Sequence, residues 1–155
     1  MAITQLKAST FDIRDSLGYH LAMTRLDWID VLEKELKPLD LSAPQYIVLI
    51  NVGSGRVETP VDLCKKLQYD TGAMTRLLDR IEAKGFIRRT AHGGDRRCVV
   101  LEMTAAGREL YPRLLQIAVE MNKRALKGFS REEIDTLERT LQRIRLNLAP
   151  SPSLP

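Results

Sequence analysis

The chain has 155 residues, which fits one domain of ordinary size or a small domain with an appended helical module. Its 24 Lys and Arg residues against 20 Asp and Glu give a net charge of only +4, so the total charge by itself excludes few classes of protein. No segment reaches the roughly 18 apolar residues of a membrane span, and the first 15 residues lack the apolar core of a secretory signal. We therefore expect a cytoplasmic protein without a membrane partner.

The sequence offers no pattern for a metal, a cofactor or catalysis. Cys64 and Cys98 have no C-x-x-C partner, so we interpret both as small structural residues, with a redox switch as the alternative. His20 and His92 are far apart, and the chain has neither a nucleophile motif nor a phosphate-binding glycine loop. We therefore predict that the protein is not an enzyme and has no metal and no cofactor.

The N-terminal part has a helical pattern throughout. A first helix is predicted over residues 11–37, because Pro38 prevents it from continuing. Residues 42–45 (SAPQ) have capping-box spacing and begin a second helix, which Gly53 and Gly55 end.

The next two helices have the lengths and the tight connection of a helix-turn-helix. Thr59 and Pro60 begin a short helix, with threonine as the N-cap and proline at the first helical position. A reading helix is predicted between Tyr69 and Lys84, with Asp70 as its N-cap and Gly85 as a left-handed C-cap. Four apolar residues three or four apart form its buried stripe: Met74, Leu77, Leu78 and Ile81.

A basic hairpin follows the reading helix directly. Residues 86–91 (FIRRTA) and 98–103 (CVVLEM) have the composition of two strands, and residues 92–97 (HGGDRR) supply the turn. Two glycines tolerate positive φ there, and two adjacent arginines stand at the exposed end. A helix-turn-helix followed by a basic hairpin predicts a DNA-binding winged helix.

The positive charge is concentrated in this region. Between Lys65 and Arg97 there are nine basic and four acidic residues, a net charge of +5, so the rest of the chain sums to −1. A polyanion-binding face requires such localisation, although a solvated charged surface gives the same count.

Two more helices end the chain. Thr104 caps a helix from about 105 to 126, and residues 130–133 (SREE) form a second capping box that begins a final helix ending near Leu148. The final helix carries an apolar seam of Ile134, Leu137, Leu141, Ile144 and Leu148. This seam needs a partner, which is either the first helix or a second copy of the protein. Residues 149–155 are proline-rich, and we expect them to be disordered.

Three strings of the sequence carry a family resemblance: residues 41–46 (LSAPQY), residues 74–85 (MTRLLDRIEAKG), and residues 95–97 (DRR) followed by 101–104 (LEMT). They resemble the MarR (multiple antibiotic resistance regulator) family of bacterial transcription factors. The resemblance implies a mainly α fold with a small β-hairpin wing. It implies a winged helix-turn-helix domain at 41–104 and a helical dimerisation module at 11–37 and 105–148.

The resemblance also implies a function. It implies a homodimer that binds a pseudo-palindromic operator in double-stranded DNA and most often acts as a repressor. Half-sites of a helix-turn-helix dimer lie about one turn, roughly 10 bp, apart. The candidate DNA contacts are Thr59, Thr71, Gly72, Thr75, Arg76, Arg80 and Arg96. Arg76 has the geometry for a guanine, but a phosphate contact or a solvated charge fits it too.

Further site residues follow from the resemblance. Asp95 and Arg97 resemble the carboxylate and guanidinium that brace the wing. MarR-like proteins often respond to a small aromatic or phenolic acid bound between the dimerisation helices and the winged helix. The candidate effector residues are His20, Thr24, Trp28, Tyr46 and Tyr111, for which ordinary core packing is the alternative. For the whole protein, the alternatives are a winged-helix protein adaptor and a non-specific DNA-binding protein without a ligand response.

Overall fold

The computed structural model describes residues 11–92 and 95–149, including side chains other than those of residues 92 and 95–98. Within these ranges the chain is mainly helical with one antiparallel hairpin, which confirms the predicted fold class. The elements are α1 (Leu17–Leu36), α2 (Ala43–Gly53), α3 (Pro60–Leu67), α4 (Thr71–Ala83), β1 (Ile87–His92), β2 (Asp95–Met103), α5 (Ala105–Ala125) and α6 (Arg131–Leu148).

The predicted start of the first helix is wrong. The side chain of Asp12 accepts hydrogen bonds from both the backbone and the guanidinium of Arg14, which favours a short 3-10 turn at Ile13–Asp15. Ser16 then caps α1 by accepting the N–H of Tyr19 at 3.1 Å. At the other end, a second 3-10 turn at Lys37–Leu39 contains Pro38, where the sequence predicted the helix to stop.

The predicted caps of the central helices are confirmed. The carboxylate of Asp70 accepts the N–H of Ala73 at 2.8 Å, and the hydroxyl of Thr59 accepts the N–H of Asp62 at 3.1 Å. Gly85 follows α4 with a φ of +75°, a conformation that a side chain would strain. Local polar chemistry therefore determines where the two helices of the helix-turn-helix begin and where α4 ends.

The predicted six-residue turn of the hairpin is too long. β1 continues to His92, which pairs with Asp95, so both strands extend into the segment assigned to the turn. The register places Ile87 opposite Met103, and both side chains are buried at the base of the hairpin. Backbone pairing continues where side-chain composition no longer predicts strand, because the pairing needs no particular side chain.

The core is formed by α1, α2, α3, α4, the part of α5 up to Ala118 and the base of the hairpin. α2 and α3 contact β2, and α4 contacts β1. The N–H of Leu101 also donates to the carbonyl of Glu58 just before α3, at 2.8 Å. The side chains under 2% exposed are those of Leu36, Val48, Leu49, Leu63, Met74, Leu78, Ile81, Ile87 and Leu114. This core fixes α4 against the hairpin.

The chain divides into two compact units, one ending at Ala118 and the other beginning at Val119, within α5. In the second unit the seam of α6 is solvent-accessible: Leu137 is 40% exposed and Leu141 is 37% exposed. No helix in the described ranges is long and apolar enough to cross a membrane. The predicted domain assignment stays a prediction, and residues 150–155 of the predicted tail lie outside the described residues.

Candidate nucleic-acid interface

α4 presents one buried face and one polar face. Its apolar stripe is buried as predicted, with no member more than 7% exposed. The opposite face is exposed to solvent and consists of Thr71, Gly72, Thr75, Arg76, Asp79 and Arg80. Donors, acceptors and cations therefore occur on the same face, as base and phosphate recognition in a major groove requires.

Four of the predicted DNA contacts cluster at the N-terminal half of α4. The hydroxyl of Thr75 donates to the carbonyl of Thr71 at 2.8 Å, so its oxygen remains available as an acceptor. A Cβ at Gly72 would lie 3.5 Å from Nη1 of Arg76 and 3.3 Å from the carboxylate of Asp70. Arg76 therefore reaches back over Gly72 towards the start of the helix, which is the end that contacts bases in helix-turn-helix proteins.

The other predicted contacts lie elsewhere. Arg80 is exposed one turn further along α4 and lines two surface clefts beside α2. Thr59 is half-buried, and its hydroxyl caps α3 and donates to the carboxylate of Asp62 at 2.7 Å. The side chains of Arg96, Asp95 and Arg97 lie outside the described residues, so the wing-tip contact and the wing-bracing pair stay predictions.

A charged pair joins the two strands of the hairpin. Arg88 donates to Glu102 through Nε at 2.8 Å and through Nη2 at 2.5 Å, and Arg88 and Glu102 are partners in the strand register. The guanidinium beside Glu102 lowers the pKa of that carboxyl below its ordinary value. The charge of Arg88, although 63% exposed, is thus already matched within the hairpin.

A second charged cluster, which was not predicted from the sequence, joins β1 to α4. The guanidinium of Arg89 contacts the carboxylates of Asp79 at 2.6 Å and Glu82 at 3.0 Å. It also donates to the carbonyl of Thr75 at 3.3 Å. The i, i+3 spacing of the two acids on α4 was the available signal, but it does not reveal which cation binds them.

A mostly apolar cleft of about 420 Å³ lies beside α1. We call it the apolar cleft; it is lined by Arg25, Leu26, Ile29, Glu33, Ala43, Pro44, Ile47, Leu67, Tyr69 and Leu77. These residues come from α1, α2, α3, α4 and the turn before α4. Its size and lining suit a small ligand with one charged group.

None of the five predicted effector residues lines the apolar cleft. His20 and Thr24 are exposed on α1, and the ring of His20 stands edge-on to that of Tyr19. The face formed by residues 20, 24 and 28 lies roughly 150° around α1 from the face that lines the cleft. Trp28 is half-buried.

The two predicted tyrosines are brought together. Tyr46 and Tyr111 are both half-buried, and a Cβ at Gly53 would overlap the ring of Tyr111. Burial raises the pKa of Tyr46, and the nearby Tyr111 adds to the shift. The close packing fits a structural role, and the effector role of these residues stays a prediction.

The geometry defines a class of protein. Two short helices joined by a tight turn are followed by a hairpin fastened to the second helix, and that helix presents an exposed polar face. This arrangement is a winged helix-turn-helix, a fold that reads double-stranded DNA with its second helix.

Comparisons with known proteins assign the family. Residues 41–99 match the MarR family. The multiple antibiotic resistance protein MarR of Escherichia coli strain K12 is 33% identical over 115 residues, which cover 74% of this chain and 80% of that protein. The chain belongs to the MarR family. It is a winged-helix DNA-binding transcriptional regulator and not an enzyme.

Solved structures agree with this assignment. A mutant MarR from E. coli complexed with operator DNA is similar with a TM-score of 0.76 at 29% identity, covering 86% of this chain and 99% of that chain. The transcriptional regulator SlyA is similar with a TM-score of 0.80 at 25% identity, covering 86% of this chain and 94% of that chain. The similarity thus extends beyond the winged helix into the flanking helices.

Proposed function

We propose that the protein is a repressor that binds a pseudo-palindromic operator as a homodimer and is released by a small aromatic or phenolic acid. The observation that carries the DNA-binding part is the exposed polar face of α4, with Arg76 positioned over Gly72 at its N-terminal half. The similar E. coli MarR mutant is complexed with operator DNA, which supports operator binding by this chain.

The exposed apolar surface supports the homodimer. No residue of α6 is buried, although its seam repeats every three or four positions. Leu17 at the start of α1 is 54% exposed, and Leu21 one turn later is 39% exposed. Apolar faces of this extent on separate helices favour burial against a second copy. A two-fold dimer would present two reading helices to two half-sites.

The apolar cleft supports the effector. Arg25 offers a guanidinium for a carboxylate, and Ile29 and Leu77 offer apolar surface for a ring. Tyr69, which lines the cleft, directly precedes the N-cap of α4. A ligand that binds one orientation of α4 more tightly would shift the population away from the DNA-binding form.

DNA titration tests the first part. The purified protein is titrated onto its own upstream intergenic DNA at several salt concentrations, with unrelated duplex as competitor. We expect tight, competitor-resistant binding. We also expect Arg96→Ala, which removes the proposed minor-groove contact of the wing tip, to lower the salt slope by about one because one counterion-releasing contact is lost. Arg113→Ala, an exposed arginine on α5, is the matched control. Weak binding without sequence preference would instead favour a protein adaptor or a non-specific DNA-binding protein.

Effector binding is tested separately with benzoate and salicylate. We expect either acid to raise the melting temperature and to release the operator, whereas benzamide, which has no carboxylate, does neither. Transcription in vitro from the upstream promoter should be low with the protein alone and should recover when the acid is added. Arg25→Gln should abolish the response, and Arg113→Gln should retain it. No response to any aromatic acid would remove the effector from the proposal.

A further inference from the structure

Arg89 makes four hydrogen bonds to α4 and lies at the base of the hairpin. Its Nη1 contacts Asp79 Oδ1 at 2.6 Å and Glu82 Oε2 at 3.0 Å, and its Nη2 donates to the carbonyl of Thr75 at 3.3 Å. Its backbone N–H donates to Glu82 Oε1 at 2.8 Å. One strand residue is thus bonded to three successive turns of the reading helix. We call Arg89, Asp79 and Glu82 the clamp.

The clamp arginine differs from the neighbouring arginine on the same strand. The side chain of Arg89 is 27% exposed, whereas that of Arg88 is 63% exposed and is bonded to Glu102 within the hairpin. Two carboxylates match the single charge of Arg89, so little of that charge remains for a phosphate. The nine basic residues between Lys65 and Arg97 therefore include one, Arg89, whose hydrogen bonds are made to the protein itself.

The position of the clamp connects the two DNA-facing parts of the molecule. Asp79 belongs to the exposed polar face of α4, one turn after Thr75. The carbonyl that Arg89 contacts belongs to Thr75, whose side chain is a predicted base contact. Base-edge hydrogen bonds require side chains held within about 0.5 Å and 10–20° of their productive geometry. A guanidinium bonded to both carboxylates restricts rotation of α4 relative to β1, because its donors have a fixed planar arrangement.

We propose that Arg89 is a positioning residue for sequence recognition: with Asp79 and Glu82 it holds the reading helix at the angle to the wing that base contacts require. The proposal rests on the proposed function, because it assumes that the protein prefers an operator to other DNA. It assigns to Arg89 no contact with a base or a phosphate.

Electrostatics and positioning make opposite predictions for the clamp acids. Removing a carboxylate near DNA reduces repulsion of the phosphates, so charge alone predicts tighter binding to every duplex when Asp79 is neutralised. Positioning predicts weaker binding to the operator, since the partner of Arg89 is lost. The neutral variants Asp79→Asn and Glu82→Gln therefore separate the two effects.

The experiment measures dissociation constants of the full-length protein for the operator and for an unrelated duplex of equal length, across a salt series. The variants are Arg89→Gln, Asp79→Asn and Glu82→Gln, with Arg88→Gln as the matched control. We expect each clamp variant to lower the operator preference by about tenfold, the scale of one charge-assisted hydrogen bond. The salt slope of Arg89→Gln should equal that of the wild type, and Arg88→Gln should retain the preference.

Folding is monitored on every variant by circular dichroism and thermal unfolding. Arg89→Lys is the conservative variant, and we expect it to restore part of the preference, because one ammonium retains the charge without the planar pair of donors. If Arg89→Gln does not fold, the preference of Asp79→Asn decides, because that variant retains the arginine and its bond to Glu82. A stabilising role alone would change the melting temperature and leave the ratio of the two dissociation constants unchanged.

Three results overturn the proposal. A fall of the salt slope by about one in Arg89→Gln, with equal losses on both duplexes, makes Arg89 a phosphate contact. An unchanged or increased operator preference in Asp79→Asn shows that the clamp does not position α4. Wild-type protein that shows no operator preference overturns the proposed function as well, and this result is recognised before any variant is measured.

Discussion

The helices of the winged helix and the last helix have the same amphipathic pattern but differ in what covers the apolar face. In the winged helix, Leu49, Leu63 and Leu78 are at most 1% exposed. In α6, Leu137 and Leu141 are 40% and 37% exposed, although their spacing is equally regular. Periodicity therefore identifies an apolar face, but the elements that cover this face lie elsewhere in the chain or in another molecule.

The difference also separates two sources of stability. The apolar faces of the winged helix are buried within the chain, so its helices are stabilised by packing. No residue of α6 is buried, so its seam gains less of this energy from its own chain.

The largest effect is expected in the core. Leu78→Ala should lower the free energy of unfolding by about 2–5 kcal/mol, because it removes a fully buried side chain and leaves a cavity. Leu146→Ala, at a site on α6 that is 74% exposed, should change it by less than about 0.5 kcal/mol. Urea unfolding of both variants measures the difference. Equal losses would show that α6 is as tightly packed as the winged helix.

The second effect concerns the seam. Leu141→Glu should convert the proposed dimer to a monomer, because a charge in an apolar interface loses its hydration. Leu146→Glu lies outside the seam positions and should leave the dimer intact. Analytical ultracentrifugation measures the mass, and operator titration should show a loss of about 10²-fold or more when two half-sites can no longer bind together. A dimer that survives Leu141→Glu would exclude this seam from the interface.

Sequence prediction is more accurate for local features of this chain than for long-range features. Ser130, Asp70 and Gly85 were predicted correctly because a cap involves residues only a few positions apart. The start of α1 was missed because two caps compete there, and the local bonds of Asp12 to Arg14 favour a separate turn. The order and type of the elements thus follow from local chemistry.

The candidate site was predicted only in part. The polar face of α4 could be read from its spacing, because a helix repeats every 3.6 residues. The clamp could not be predicted from spacing. As far as the sequence shows, Arg89 is equally able to contact DNA, Glu102 or the acids of α4. The apolar cleft could not be predicted for a related reason: four helices and the turn before α4 line it, and their relative orientation is a tertiary property.

A smaller effect on stability is expected from substitution of the helix N-cap residues. Asp70→Ala should lower the stability of the winged helix by about 1 kcal/mol, whereas Asp70→Asn should retain most of it because an amide oxygen also accepts the N–H of Ala73. Ser130→Ala at the start of α6 removes a longer bond, 3.3 Å to the N–H of Glu133, within a helix that lacks buried residues. Hydrogen exchange should therefore show local fraying of α6 for Ser130→Ala and global destabilisation for Asp70→Ala. Global destabilisation by both would mean that the two regions unfold together.

The smallest effect concerns the pH dependence of stability. It is expected from one carboxyl of the hairpin, Glu102, and from one carboxyl of α6, Glu133. The pKa of Glu102 is lowered mainly by hydrogen bonds from Arg88, and the pKa of Glu133 is lowered mainly by the backbone N–H of Ser130. A lowered pKa means that the charged form is favoured in the folded state. The resulting stabilisation is present above the ordinary glutamate pKa of about 4.3 and is lost as the pH falls through the lowered value.

Carboxyl NMR titration measures both groups in one experiment. Arg88→Gln should return the pKa of Glu102 towards its ordinary value, because the guanidinium is its largest source of stabilisation, and should leave that of Glu133 unchanged. Ser130→Ala should shift the pKa of Glu133 only slightly, since the backbone N–H that contributes most is retained. An unchanged pKa of Glu102 in Arg88→Gln would show that this pair is not formed in solution. The hairpin would then depend on its backbone pairing and on the clamp to stay beside α4.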